Sequence, residues 1–277
     1  MAHLIGCVNT SHVPAIGKAI ATHQEQAAYW KPFFDGFPPI REWLRRERPD
    51  AVVVIYNDHG LNFFLDKMPT FALGAAERYV NADEGWGIPT LAPFAGELDL
   101  SWHLIERLID ADFDLTTCQE MRVDHAFTLP MKLLWPDGDA PPAVPLCINT
   151  VQFPLPSARR VWALGRALGE AIRAWDSDKR VLVLGSGGLS HQLDGQRAGF
   201  INKDFDQRFM RSLVEQPDWV TRYSIHELVE LSGTQGVELL MWLAARATLG
   251  DGARLVHQNY HIPISNTASG AMALACA

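Results

Sequence analysis

The stretch Ala51-Val52-Val53-Val54-Ile55-Tyr56 is apolar at every position and is followed directly by Asn57-Asp58-His59-Gly60. A half-exposed strand alternates apolar and polar residues, so this uninterrupted β-branched run predicts a strand that is buried on both faces. Such strands occupy the centre of sheets that have helices on both sides. Three further runs, at residues 3–8, 143–148 and 181–184, predict neighbouring strands.

Helical patterns lie between these strands. From residue 161 to residue 175 apolar side chains recur every three or four positions, and Ser157 upstream is a suitable N-cap. Residues 201–214 and the stretch from about 236 to 247 have the same spacing. The chain therefore alternates strands and helices, which is typical of α/β proteins.

Clusters of Pro and Gly at residues 35–39, 83–93 and 136–145 predict long loops. None of them is a low-complexity linker, and the chain has no internal repeat. We therefore expect a single domain over residues 1–277, of the α/β class, with a central mixed β-sheet flanked by helices and long loops.

Composition excludes several classes of protein. The 277 residues are 48% apolar and include nine Trp and thirteen Phe, which argues against disorder. A net charge of −8 with scattered Lys and Arg argues against binding to nucleic acids or anionic membranes. Four widely spaced cysteines and an N-terminus without a signal-peptide pattern favour a reduced, cytoplasmic protein.

Three histidines follow predicted strands. His12 comes after the first strand, His59 after the central one, and His191 after the strand at residues 181–184. Ligands of open α/β sheets bind beyond the carboxyl ends of the strands, so we expect these three side chains to converge. A single histidine after a strand is more often a hydrogen-bonded loop residue, but three together favour a site.

Glu238 is the carboxylate of an otherwise apolar helical stretch, Val237-Glu238-Leu239-Leu240-Met241-Trp242-Leu243. A carboxylate there is costly to bury unless a cation or a metal compensates its charge. The alternative is that Glu238 lies on a solvated face of the helix.

Two imidazoles and one carboxylate form the facial triad that holds Fe(II) and leaves adjacent coordination positions open. Zinc accepts the same donor types, so a zinc hydrolase is an alternative. A histidine that does not bind the metal suits proton transfer near neutral pH. The residues alone thus indicate a metalloenzyme and leave its metal open.

At these residues the sequence resembles the large (beta) catalytic subunits of the protocatechuate 4,5-dioxygenase family, within the class III extradiol ring-cleaving dioxygenases. The similarity extends over almost the whole chain, and the order and spacing of the blocks make it specific. The matching blocks are residues 11–15, 56–59, 83–87, 123–125, 190–193, 197–203, 236–239 and 266–272.

The resemblance implies roles for six residues. His12, His59 and Glu238 would bind a non-haem Fe(II), and His191 would be the catalytic acid and base. His125 would hydrogen-bond the substrate or the bound oxygen, and Thr267 would lie near the ring substituent of the substrate.

The implied reaction is extradiol cleavage of a carboxylated catechol by O₂, with protocatechuate giving 4-carboxy-2-hydroxymuconate semialdehyde. Gallate and 3-O-methylgallate are alternative substrates for the same kind of site. From a different functional class, the resemblance also extends to non-catalytic binding proteins. Those relatives would be expected to lack part of the constellation that this chain retains.

The resemblance also implies a partner. Enzymes of this kind pair the large subunit with a small helical alpha subunit that covers the active site, and in some relatives this module is fused at the C-terminus. Because the chain ends at Ala277, soon after the block at residues 266–272, we expect a separate small chain and an α₂β₂-type heterotetramer.

Overall fold

The computed structural model describes residues 1–277 apart from the side chain of Pro263. Strands and helices alternate along the first two thirds of the chain. The strands are β1 (His3–Thr10), β2 (Ala51–Tyr56), β3 (Phe71–Gly74), β4 (Arg78–Asn81), β5 (Phe94–Ala95), β6 (Thr116–Cys118), β7 (Arg122–Val123), β8 (Ala143–Ile148), β9 (Arg180–Ser186), β10 (Ala253–Ile264) and β11 (Thr267–Cys276).

The helices lie mainly between these strands. They are α1 (Pro14–Ala21), α2 (Lys31–Phe34), α3 (Pro38–Glu47), α4 (Leu98–Asp110), α5 (His125–Leu134), α6 (Ala158–Ala174), α7 (Lys203–Glu215), α8 (Ile225–Ser232) and α9 (Leu239–Ala247). Two short 3-10 turns, Trp219–Arg222 and Gly236–Glu238, precede α8 and α9. Within the part of the chain described, no helix is long and apolar enough to cross a bilayer.

The larger sheet has the strand order β10-β11-β1-β9-β2-β8-β3-β6. Its centre is parallel, because β9 pairs in parallel with both β1 and β2, and β2 pairs in parallel with β8. The strands β10 and β11 add an antiparallel edge beside β1. The prediction of an α/β fold with a central mixed sheet is therefore confirmed. A second, smaller sheet contains β5, β4 and β7.

Side chains of β2 explain why its sequence is apolar on both faces. Val53 and Ile55 pack into one hydrophobic core under α4, α6, α7 and α9. Val52, Val54 and Tyr56 pack into a second core on the opposite face, under α2, α3 and α5. All five side chains are fully buried. The sheet is thus covered on both sides, as expected for a parallel centre.

Two glycines of α6 fix the position of α9. A Cβ at Gly165 would lie 2.3 Å from the carbonyl oxygen of Ala244, and one at Gly169 would lie 2.1 Å from that of Thr248. Neither position has room for a side chain, so the two helix backbones approach closely. This contact holds α9 against α6, and Glu238 directly precedes the first residue of α9.

Most local predictions are confirmed, including the strands at residues 3–8, 51–56, 143–148 and 181–184 and the N-cap at Ser157. The long loop predicted at residues 35–39 is wrong. Helix α2 ends at Phe34 and α3 begins at Pro38, so only a short turn remains. Pro38 and Pro39 stand in the first turn of α3, where a missing backbone N–H costs nothing.

Candidate metal centre

His12, His59, His191 and Glu238 converge at the carboxyl ends of the parallel strands. His12 follows β1, His59 follows β2, and His191 follows β9. The Nε2 atoms of His12 and His59 lie 3.5 and 3.8 Å from the two carboxylate oxygens of Glu238. The Nε2 atom of His191 lies 4.0 Å from the same carboxylate. The three histidines therefore share one carboxylate.

His125 joins this group from another direction. It is the first residue of α5, whose N-cap Asp124 accepts a hydrogen bond from the Ala126 backbone. Its ring stacks on His59 with 4.3 Å between centroids and meets the ring of His12 edge-on at 5.3 Å. One ring nitrogen from each of His12, His59 and His125 lies within 4.8 Å of the other two, close enough to share a metal ion.

Glu238 is not on a solvated helix face. It lies in the 3-10 turn before α9, and only 6% of its surface is exposed. The Asn57 amide donates to Oε1 at 3.2 Å, and the Gly188 backbone N–H donates to Oε2 at 2.8 Å. Although burial alone would raise the pKa of Glu238, His12 and His59 hold it well below the usual value. The carboxylate is therefore ionised and oriented toward the histidines.

Hydrogen bonds to the Nδ1 atoms decide which nitrogen of each ring faces the centre. The Ser186 hydroxyl donates to the carbonyl oxygen of Ala126, so its oxygen accepts from His12 Nδ1–H at 2.9 Å. Leu189 O accepts from His191 Nδ1–H at 2.8 Å. Both rings consequently present an unprotonated Nε2 to the centre when they are neutral.

Carboxylates hold the other two histidines. Asp124, fully buried, accepts from His59 Nδ1–H at 3.0 Å and from the His59 backbone N–H at 2.8 Å. Glu84 accepts from His125 Nδ1–H and from the His125 backbone N–H, each at 2.7 Å. Carboxylates that support metal-binding histidines in this way fix ring orientation and increase ligand basicity.

The donor chemistry fits a divalent transition metal. The centre offers imidazole nitrogens and an ionised carboxylate, a set that suits Fe(II) or zinc. The His12 and His59 rings each use Nδ1 in a hydrogen bond. Their Nε2 atoms face Glu238, and the amide nitrogen of Asn57 lies 3.2 Å from Nε2 of His59. This pattern is the usual one around metal-binding histidines.

A cavity of about 150 Å³ adjoins these side chains. Two apolar residues, Trp86 and Leu193, lie at its mouth, where they are 59% and 57% exposed. Thr267 lies deeper, 3% exposed, and its backbone forms a bridge with that of His191. Among the lining residues that the structure describes, none is Lys or Arg. The lining consists of His12, Val13, Pro14, His59, Trp86, His125, Gly188, His191, Leu193, Gln235, Glu238 and Thr267.

The structure thus brings all six predicted site residues to one cavity. Sequence reasoning missed the residues that orient them: Asp124, Glu84, Asn57 and Ser186. Asp124 carried one usable signal, because an Asp directly before an apolar helical stretch is a typical N-cap. Glu84 carried none, since its contact with His125 spans 41 positions.

Metal binding to the metal-free protein is expected to release about one proton per site below pH 10. Burial lowers the pKa of His59, but the carboxylates of Asp124 and Glu238 more than offset this and raise it to about 10. A metal competes with that proton, so the apparent affinity should rise with pH by up to about tenfold per unit. Anaerobic calorimetry with Fe(II), in buffers of different ionisation enthalpy, measures the proton count.

The matched control is His226→Gln, because His226 is exposed and stacks on Phe153 away from the centre. That variant should release the same number of protons as the wild type. An affinity for Fe(II) that does not change between pH 7 and pH 9 would contradict the expectation that His59 binds the metal.

The chain is similar to proteins of known family. Residues 6–270 match the family described as the catalytic LigB subunit of aromatic ring-opening dioxygenase. Gallate dioxygenase of Pseudomonas putida is 37% identical over 184 residues, which cover 66% of this chain and 54% of that protein. A 2,3-dihydroxyphenylpropionate/2,3-dihydroxicinnamic acid 1,2-dioxygenase of Photorhabdus laumondii is 35% identical over 187 residues, with the same two coverages.

This chain therefore spans about half the length of these curated relatives. Among solved structures, an uncharacterized protein from Escherichia coli K12 aligns with a TM-score of 0.58 at 16% identity, covering 97% of this chain and 99% of that one. At this identity the similarity concerns the fold alone.

Proposed function

The chain belongs to the family of catalytic LigB subunits of aromatic ring-opening dioxygenases, and from that premise we propose that it is an extradiol dioxygenase that opens the ring of a carboxylated catechol. One observation carries the proposal. Four histidines and one carboxylate from five separate segments direct their polar atoms into a single ring-sized cavity. The reaction would break the ring bond beside the diol and place both atoms of O₂ in the product.

His12, His59 and Glu238 are the proposed Fe(II) ligands. Their donor atoms are adjacent, and hydrogen bonds hold each of them in an orientation suited to a metal. Bound Fe(II) would supply the redox chemistry with O₂ and open coordination positions for the two substrate oxygens. His125 is near enough to be a fourth ligand, but Glu84 holds it on the cavity wall, where it would meet the substrate instead.

His191 is the proposed acid and base. Its Nδ1–H is used by Leu189 O, so the neutral ring has an acceptor at Nε2, facing the cavity. That nitrogen would take the proton of one catechol hydroxyl and return it as the ring opens. His125, fixed by Glu84 beside the ring of His12, would hydrogen-bond the substrate or the oxygen.

The cavity suits one aromatic ring. An apolar cavity of about 150 Å³ in another protein accommodates benzene, and the volume here is the same. Trp86 and Leu193 would cover the ring and limit access of water. Thr267 would face the ring substituent with its hydroxyl, which has no partner among the described residues.

Protocatechuate is the proposed substrate, with 4-carboxy-2-hydroxymuconate semialdehyde as product. Gallate is a second candidate, favoured by the similarity to a gallate dioxygenase, and 3-O-methylgallate is a third. Because neither Lys nor Arg stands among the described lining residues, neutral donors or a partner chain would receive the substrate carboxylate.

A small alpha subunit is the proposed partner, in an α₂β₂-type assembly. Two apolar side chains that line the cavity, Trp86 and Leu193, are more than half exposed. A covering chain would bury both of them and close the site to water.

The test is O₂ uptake by anaerobically Fe(II)-loaded protein, followed together with the absorbance of the semialdehyde. Protocatechuate, gallate, 3-O-methylgallate and 2,3-dihydroxyphenylpropionate are compared by kcat/KM, with and without co-expressed small partner chains. Uptake of one O₂ per ring opened supports the proposal. Absence of O₂ uptake with every catechol would overturn it, and hydrolytic activity with bound zinc would favour the zinc hydrolase instead.

A further inference from the structure

Asp206 is a buried carboxylate that the proposed reaction does not use. It lies in the first turn of α7, only 1% exposed, and forms no ion pair among the described residues. An unpaired carboxylate at such a depth is costly unless it is fully hydrogen-bonded. The hydrogen-bond donors around Asp206 therefore account for its burial.

Three donors reach the Asp206 carboxylate. The backbone N–H of Ser190 donates to Oδ1 at 2.9 Å, the Ser190 hydroxyl to Oδ2 at 2.6 Å, and the Tyr260 hydroxyl to Oδ2 at 2.9 Å. Two of these donors belong to the residue directly before His191. Burial raises the pKa of Asp206 to about 6 and these hydrogen bonds oppose the rise, so the group is mostly ionised above pH 7.

One peptide group connects Asp206 with His191. The N–H of the Leu189–Ser190 peptide donates to Asp206 Oδ1, and the carbonyl oxygen of the same peptide accepts from His191 Nδ1–H at 2.8 Å. A peptide whose N–H donates to a carboxylate becomes polarised, and its oxygen becomes a stronger acceptor. A stronger acceptor at Nδ1 in turn makes Nε2 a better base.

We propose that Asp206 is a positioning residue that acts on His191 through the Leu189–Ser190 peptide, as a carboxylate–peptide–imidazole relay. The arrangement does what a buried aspartate does in a catalytic triad, where it fixes the imidazole tautomer, but a peptide group stands between the two side chains. The relay holds the proton on Nδ1 and keeps Nε2 of His191 directed at the cavity. The relay adds a positioning residue to the proposed function, and it rests on His191 being the base.

Asp206→Asn is the central variant, because asparagine keeps the shape of the side chain and removes its charge. The relay predicts that kcat falls about tenfold, because Asp206 would supply only part of the rate enhancement that general acid–base catalysis by His191 provides. Bound metal and KM should stay at wild-type levels, since no proposed metal ligand contacts Asp206. The matched control is Tyr260→Phe, which removes only the phenol donor and keeps the hydrogen bond between Asp206 and the peptide. It should keep kcat within about threefold of wild type.

A second measurement does not depend on activity. Nitrogen-15 spectra of histidine-labelled, metal-free protein at pH 8, with His191 assigned from His191→Gln, report the protonated nitrogen of this ring. The relay predicts that the neutral ring of His191 carries its proton on Nδ1. The signal of this hydrogen-bonded proton should move upfield in Asp206→Asn and stay in place in Tyr260→Phe.

Several results would overturn the relay. In the kinetic test they are a kcat of Asp206→Asn within about threefold of wild type, or a joint loss of kcat and bound metal in that variant. In the spectra they are a neutral His191 ring protonated on Nε2, or a proton signal that does not move in Asp206→Asn. The wild-type spectrum decides the tautomer even if Asp206→Asn does not fold. If the wild-type protein opens no catechol, the proposed function fails, whereas the spectra still decide the relay.

Discussion

Replacing Glu238 with glutamine is expected to remove bound metal and ring cleavage together. Glutamine preserves the shape of the side chain and can still accept from the Gly188 N–H, but it removes the negative charge that lies 3.5 and 3.8 Å from His12 and His59. Losing a residue that only supports a ligand typically costs 10–100-fold in metal affinity, so loss of a ligand itself should cost at least about 100-fold. Metal analysis and calorimetry measure the affinity, and O₂ uptake measures cleavage.

The matched control is Glu230→Gln, since Glu230 is exposed and pairs with Arg197 at the surface. That variant should keep both metal and activity. The same loss is expected for His12→Ala and His59→Ala. Stoichiometric iron at wild-type affinity in two of the three ligand variants would reject the proposed ligand set.

Replacing His191 with phenylalanine is expected to stop turnover while metal and catechol still bind. Phenylalanine keeps a planar aromatic ring, but the acceptor at Nε2 and the hydrogen bond from Nδ1–H to Leu189 O are both lost. General acid–base catalysis contributes about 10²–10⁴-fold, so kcat should fall by a factor in this range. Anaerobic titration with the catechol measures binding, and the steady-state rate gives kcat.

His226→Phe provides the matched control, because this histidine is on the protein surface and touches Phe153 rather than the cavity. It should behave as the wild type does. A His191→Phe variant whose kcat stays within about threefold of wild type, roughly 0.7 kcal/mol of barrier, would remove His191 from the acid–base role.

Local sequence patterns predicted strands and helices correctly where the pattern agrees with the tertiary packing. The apolar run of β2 predicted a central strand, and its alternate side chains enter two different cores. Ser157 was recognised as an N-cap because capping involves neighbours only, and its side chain accepts from the Arg160 N–H. The turn at residues 35–39 was predicted as a long loop because Pro signals both a loop and a helix start.

The local environment of Glu238 was predicted less well. Sequence spacing placed this residue inside a helix, whereas the structure places it in a 3-10 turn just before α9. Periodicity does not mark the first residue of a helix when apolar residues continue across the boundary. The turn matters because it directs the carboxylate to the Gly188 N–H and toward the histidines.

The sequence by itself determined the α/β sheet and the residue types of the centre, since strand burial and polar residues after strands are local properties of the chain. Only the tertiary structure decided how those side chains are oriented. Asp124 is 65 positions from His59, Glu84 is 41 from His125, and Asp206 is 16 from Ser190. A hydrogen bond requires two groups within about 3 Å of each other, and no local pattern encodes which distant residue comes that close.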